Sequence, residues 1–302
     1  MTRRFTRQAG GAEPRAGTAV GDLVHELAAL LERAGIPDAR AEARDMVAIV
    51  TGQSRFWPSA HSDAAVADRV VDLARTVAAR RASGMPFAYA VGCAPFRHLT
   101  LRVDERVLIP RQETEVLVDL VLRHGPPAEA GGTVADVCTG SGAIALALAD
   151  EWRYDLIIAT DVAADAIELA RENAAQLNAR ESTPIEFRVG DLLAPLRGER
   201  LDVLVANPPY IAFDEIADLP RSVRDWEPVH ALLSAANGLD ATRRIIRGAD
   251  RLVSSGGLLA LEVDASRALQ VAELLSASGA WSDVRVHLDL AGRDRFVLAT
   301  RA

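Results

Sequence analysis

Apolar residues recur at helical spacing from Asp22 onward, at Leu23, Leu27, Leu30 and Leu31, and the spacing predicts a first helix there. A second helix is expected over 38–50, after Gly35-Ile36-Pro37, and a third over 63–81. Together they outline a small helical N-terminal domain, residues 18–84, closed by Ser83-Gly84-Met85-Pro86. Alternation over 87–103 then predicts a β-hairpin linker spanning 85–105. From residue 106 to 302 the pattern changes to short apolar runs separated by helical segments. Strands are expected at 133–137, 155–160, 185–189, 201–206, 258–263, 284–288 and 295–300, with helices at 143–150, 240–252 and 265–276. Such alternation predicts an α/β domain whose mainly parallel sheet carries helices on both faces. Residues 1–17 hold Arg3, Arg4, Arg7 and Arg15 among Gly, Ala and Pro and read as a disordered tail.

The first predicted strand of the sheet runs into Asp136-Val137-Cys138-Thr139-Gly140-Ser141-Gly142 and then a helix. Gly140 and Gly142 permit close backbone approach to a ligand, and the helix N-terminus beyond them offers free N–H groups. The next strand ends at Asp161, placed to accept hydrogen bonds from both hydroxyls of a ribose. The same glycines satisfy G-x-G-x-x-[GA] from Gly140 to Ala145, which leaves an NAD-binding oxidoreductase open. A third acid, Asp191, follows the strand at 185–189 and would meet the exocyclic amine of an adenine, which favours S-adenosylmethionine lying across successive strand tips.

The apolar run 201–206 ends in Asn207-Pro208-Pro209-Tyr210. The prolines fix φ and remove N–H donors, so the turn is stiff and its carbonyls are free to accept. The Asn207 side-chain carbonyl and the Pro208 main-chain carbonyl would grip two hydrogens of one planar NH2, with Tyr210 as a flat wall. Acceptors held in this way favour the more pyramidal, electron-rich nitrogen of a transition state, which points to N-methylation. Alone, the four residues serve equally as a loop that ends a strand; the three acidic or glycine-bearing strand tips upstream favour the clamp.

Composition narrows the classes. The chain has 302 residues, 49% of them apolar, and a net charge of −8, which argues against a general nucleic-acid surface. All 34 basic residues are arginine, so chemistry that needs a primary amine, such as a Schiff base or a P-loop lysine, is excluded. Cys93 and Cys138 have no zinc spacing and are expected to be reduced thiols, and the six histidines form no metal-ligand pattern. No metal is expected. No run is long and apolar enough to cross a membrane, and no signal-peptide core is seen, so the expected location is cytoplasmic.

The chain resembles the PrmC/HemK family, the glutamine N5-methyltransferases of peptide chain release factors. The resemblance covers nearly everything after about residue 20. It rests on Val107-Leu108-Ile109-Pro110-Arg111-Gln112-Glu113-Thr114-Glu115, the glycine turn, Asn207 to Ile211, Glu227-Pro228, Gly238-Leu239-Asp240 and Asp289-Leu290-Ala291-Gly292-Arg293-Asp294-Arg295. It implies a helical N-terminal domain joined by a hairpin to a seven-stranded Rossmann-like methyltransferase domain. It also implies S-adenosyl-L-methionine as cofactor and a release factor as partner. By the same resemblance Asn207, Pro208 and Tyr210 act at the target nitrogen with Pro209 beside them, and Thr139, Gly140, Gly142, Asp161, Asp191 and Asn207 border the cofactor.

Three departures from the family pattern stand out: Gln112 for a proline, Cys138 for a glycine, and Asp264 for a glycine after Leu261-Glu262-Val263. A carboxylate at Asp264 facing the pocket would suit a cationic substrate, so methylation of a small molecule such as free L-arginine is the alternative, against a plain helix cap at that position. Glu113, Glu227 and Asp264 are the candidate substrate-side acids. An adenine-N6 DNA methyltransferase uses a similar clamp and would need a basic groove that this charge balance disfavours.

Overall fold

The computed structural model describes residues 17–126, 131–176 and 183–302. The expected tail, apart from residue 17, lies outside them, as does Pro127 of the loop before the central sheet. The chain divides after Val91 into two compact units.

In the first unit, helices α1 (Val20–Arg33), α2 (Ala39–Thr51) and α3 (Asp68–Ala82) pack about Leu23, Leu27, Leu31, Met46 and Val71. The third helix starts later than its periodicity suggests because Ala65 and Val66 pair with Ala19 and Thr18 as short antiparallel strands. Where alternation predicts the start of a hairpin, Phe87–Val91 forms helix α4 instead. Pro86 opens it, with its carbonyl accepting from Ala90 N–H at 3.0 Å, and proline's missing donor is harmless at a helix start.

The second unit begins with an antiparallel ribbon, β1 (Cys93–Phe96) and β2 (Leu99–Arg102), followed by helix α5 (Gln112–His124). Its sheet contains β3 (Thr133–Val137), β4 (Leu156–Asp161), β5 (Ile185–Val189), β6 (Leu201–Ala206), β7 (Val253–Glu262), β8 (Trp281–Leu288) and β9 (Asp294–Arg301). The spatial order is β8-β9-β7-β6-β3-β4-β5. The five strands from β7 to β5 are parallel, and β9 runs antiparallel to both of its neighbours. Alternate strand residues serve opposite faces: Val134, Val203 and Val205 join one apolar cluster, while Ala135, Leu204 and Ala206 join the other. Helices α5 and α6 (Ala143–Glu151) cover the first face; α8 (Asp240–Ala249) and α9 (Ala268–Ala277) cover the second. Helix α7 (Ala164–Ala174) follows β4. Among the described residues, no helix is long and apolar enough to cross a membrane.

Candidate active site

In an open parallel sheet, the tips of adjacent strands whose connections leave in opposite directions part to form a crevice. Here those strands are β3 and β6. A cavity of about 270 Å³ opens at this point, bordered by Thr139, Gly140, Asp161, Asp191, Asn207 and Pro209 among others.

The glycine turn is tied down from beneath and from the side. Asp136 is fully buried, and its Oδ2 accepts from Thr139 Oγ1 at 2.6 Å and Ala145 N–H at 3.1 Å. Burial raises its carboxyl to about 7, and its Oδ1 has no partner among the described residues. Asp161 accepts from Gly140 N–H at 2.9 Å and from Ala163 N–H at 3.0 Å. Gly142 does not line the cavity; at φ 83 it precedes α6, and a Cβ there would meet Leu146 at 3.1 Å and Ala170 at 3.3 Å. Its role is therefore packing, whereas at Gly140 the space is open. Cys138 holds φ 64, a left-handed conformation costly to any residue with a Cβ, and burial raises its thiol well above the ordinary value. A protonated thiol in that turn is a packing group.

The set of groups fits S-adenosylmethionine. Two carboxylates on successive strand tips, a glycine turn and the apolar side chains of Leu108, Val162 and Leu192 border one cavity. The unpartnered Asp136 Oδ1 lies beneath the same turn. Asp191 is half-exposed and is gripped by Arg244 of α8, which also borders the cavity.

At the clamp, Asn207 Nδ2 donates to Thr114 Oγ1 at 3.2 Å, and Thr114 Oγ1 donates to Glu262 Oε2 at 2.8 Å. Strand register explains the meeting: Ala206 is level with Leu261, so the next residues, Asn207 and Glu262, share the strand ends. With Nδ2 committed to Thr114, Asn207 Oδ1 is the end left to accept from another molecule. Pro208 is buried and Tyr210 half-buried, and neither lines the cavity itself. Burial pushes the Tyr210 phenol well up, so it remains neutral, with the Arg295 guanidinium 5.9 Å from its ring centre. Arg295 is held in turn by Asp289, at 3.5 Å, and donates to the Val263 carbonyl at 3.1 Å.

The three acids expected on the substrate side are all engaged elsewhere. Glu113 lies 3.5 Å from Arg293 and Glu227 is buried 2.5 Å from Arg111; neither borders the cavity, although Arg111 does. Asp264 accepts from Ser266 N–H at 2.9 Å and from the Ser266 hydroxyl, and lies 3.3 Å from Arg267. It caps the turn that leads into α9, so its charge is satisfied locally and is not supplied to a cationic substrate. The cavity wall carries Arg106, Arg111 and Arg244 beside Asp161, Asp191 and Asp240, with Arg111 paired to Glu227 and Arg244 to Asp191, so its charges do not select a guanidinium guest. Glu262, Thr114 and Asp136 were not singled out from the sequence. The available signal was a charged residue closing an apolar run at Glu262 and an acid ending a buried strand at Asp136.

Comparison with known proteins agrees with this geometry. Residues 112–218 match the model of the methyltransferase small domain and residues 22–92 that of the PrmC N-terminal domain. The chain is 41% identical to the release factor glutamine methyltransferase of Moorella thermoacetica, over 94% of this chain and 97% of that protein. It is 38% identical to the enzyme of that name from Cereibacter sphaeroides, over 94% and 98% of the two chains. Among solved structures, a methyltransferase from Pyrococcus furiosus superposes with a TM-score of 0.51 at 17% identity, covering 68% of this chain and 89% of that one. The hMettl16 catalytic domain gives 0.53 at 19% identity, covering 78% and 82%. These two likenesses speak for the fold alone. The oxidoreductase reading of the glycine turn finds no support among these relatives.

Proposed function

Since the chain belongs to the PrmC/HemK family of release factor glutamine methyltransferases, we propose that it methylates the side-chain nitrogen of the glutamine in the Gly-Gly-Gln motif of a peptide chain release factor. The observation that carries the reading is the polarity of Asn207: its Nδ2 is spent on Thr114, which turns an acceptor to the guest.

S-adenosyl-L-methionine supplies the methyl group, and the residues that would hold it are Thr139, Gly140, Asp161 and Asp191, with Asn207 at the seam between cofactor and substrate. An amide nitrogen is a poor nucleophile because its lone pair is delocalised into the carbonyl. Asn207 Oδ1 and the Pro208 carbonyl accept its two hydrogens, which fixes the nitrogen in place and raises the electron density on it. Tyr210, neutral and backed by Arg295, offers a flat face to the amide plane. Pro209 keeps the turn stiff, so the two acceptors need no rearrangement as the nitrogen changes shape. A translation substrate puts the enzyme's work in the cytoplasm.

The test is mass spectrometry after incubating the protein and cofactor with a release factor and free L-arginine together. Methylation confined to the Gly-Gly-Gln glutamine is expected. Methylated arginine beside an unmodified release factor would overturn the reading.

A further inference from the structure

Glu262 is 1% exposed, sits at the end of β7 and has no role in the reaction as described so far. A buried carboxylate is costly, and an apolar residue of similar volume is commonly at least as stabilising. Its surroundings suggest what it does. It accepts from the Thr114 hydroxyl at 2.8 Å. We infer that Glu262, acting through Thr114, is a positioning residue that fixes which end of the Asn207 amide faces the target nitrogen.

Polarity is what matters at Asn207, a point that rests on the proposed function. An asparagine amide has two ends of nearly equal shape and opposite hydrogen-bonding sense, so packing alone discriminates poorly between them. A clamp with its NH2 end toward the guest would repel the guest's own N–H groups. An ionised carboxylate only accepts, so once Glu262 is ionised the Thr114 hydroxyl must point its hydrogen at it. The lone pairs that remain on Thr114 Oγ1 then require a donor beside them, and Asn207 Nδ2 fills that place at 3.2 Å. Each step follows from the one before, and the outcome is an Asn207 Oδ1 directed outward. Burial pushes the Glu262 carboxyl up to about 7; the Thr114 hydroxyl and Arg295 from β9 favour its charged form, and Glu113 from α5 opposes it, so the relay is set on the alkaline side of that value. Two parallel strand ends and one helix therefore converge to set a single dipole.

The experiment compares wild type with Thr114→Val, Thr114→Ser and Glu262→Gln, using a release factor bearing Gly-Gly-Gln. Thr114→Val keeps the shape and removes the relay, so kcat is expected to fall at least about tenfold, approaching the loss seen when a stabilising hydrogen bond is deleted from an active site. KM for the release factor and Kd for S-adenosylmethionine should each stay within about threefold of wild type, because valine keeps the shape of the cavity wall that Thr114 forms. Thr114→Ser restores the hydroxyl and should recover kcat to within about threefold. Glu262→Gln offers a donor end as well as an acceptor end, so the Thr114 hydroxyl is no longer obliged to donate, and kcat falls.

Hydrogen exchange of the Asn207 side-chain NH2, followed by NMR without substrate, gives a second and independent readout. It should be slow in wild type and Thr114→Ser and fast in Thr114→Val and Glu262→Gln. A wild type inactive on the release factor would strike the proposed function, and the exchange data would still decide the relay. Full kcat in Thr114→Val, or unchanged Asn207 exchange in both disrupting variants, would overturn it.

Discussion

Gly238 lies against the clamp so closely that a Cβ built on it would stand 2.2 Å from the Tyr210 carbonyl oxygen. Its φ of 74 is also one that only glycine holds without strain, and Ala236 and Asn237 before it are left-handed too. The Tyr210 carbonyl is fixed from another direction by Arg267, whose Nη1 donates at 3.3 Å. Gly238→Ala must therefore move the backbone of the clamp. The expected cost is about 2–3 kcal/mol of stability, with methyl transfer reduced more than in proportion to the folded fraction. Urea titration and kcat measured on the same preparation check this.

Asp161 does two things with one carboxylate: it holds the glycine turn through Gly140 and stands at the strand tip where a ribose would lie. Asp161→Ala removes both. S-adenosylmethionine Kd by calorimetry should rise at least about tenfold, the range for hydrogen bonds to a charged acceptor. An unchanged Kd would place the ribose elsewhere.

Asp191 and Arg244 form a half-exposed ion pair on the cavity wall. Pairs of this kind contribute about 0–1 kcal/mol, so Arg244→Ala should barely alter stability. It frees the carboxylate proposed to meet the adenine amine, and cofactor affinity should hold or improve. Asp191→Ala should weaken it. Weaker binding in Asp191→Ala with no weakening in Arg244→Ala, within one calorimetric series, is the expected pattern.

Burial lifts the Asp136 carboxyl to about 7 from an ordinary value of 3.8. A raised folded-state value means that the folded protein binds the extra proton, so this contribution is fully present below pH about 4 and is lost as pH rises through about 7. Glu262, lifted to about 7 from 4.5, acts in the same direction. Without cofactor, the unfolding free energy should decline between pH 5 and 8, and Asp136→Asn should remove on the order of 2 kcal/mol of that decline. Urea titrations at the two ends of the range measure it, and an identical slope in the variant would show that Asp136 is ionised throughout.

Much of this architecture was legible because local pattern and tertiary demand agree. Strands 133–137 and 201–206 are short, mainly apolar runs and 185–189 alternates apolar and charged residues, each bounded by turn residues, and β3, β6 and β5 occupy those positions. Strand β7 begins at Val253, earlier than its apolar run suggests, because Ser254-Ser255-Gly256-Gly257 hides the irregular start that pairs Leu201 with Val253. The Phe87–Val91 helix was masked by an alternation that reads as strand. At the site, Asn207 and Asp161 could be read from their places at strand ends. Glu262 could not, because its meaning depends on β6 and β7 being parallel and in register, a relation carried by distant parts of the chain. Asp264 shows the converse: a charge unusual for the family drew a chemical reading, and local capping accounts for it.

The most direct test of the clamp is single-turnover methylation of a Gly-Gly-Gln release factor by wild type and Asn207→Ala, with cofactor Kd measured for both. The clamp predicts that the rate falls by roughly a hundredfold or more while Kd changes only a few-fold, since the side chain acts on the target nitrogen. A variant that binds cofactor and transfers the methyl group at the wild-type rate would contradict it.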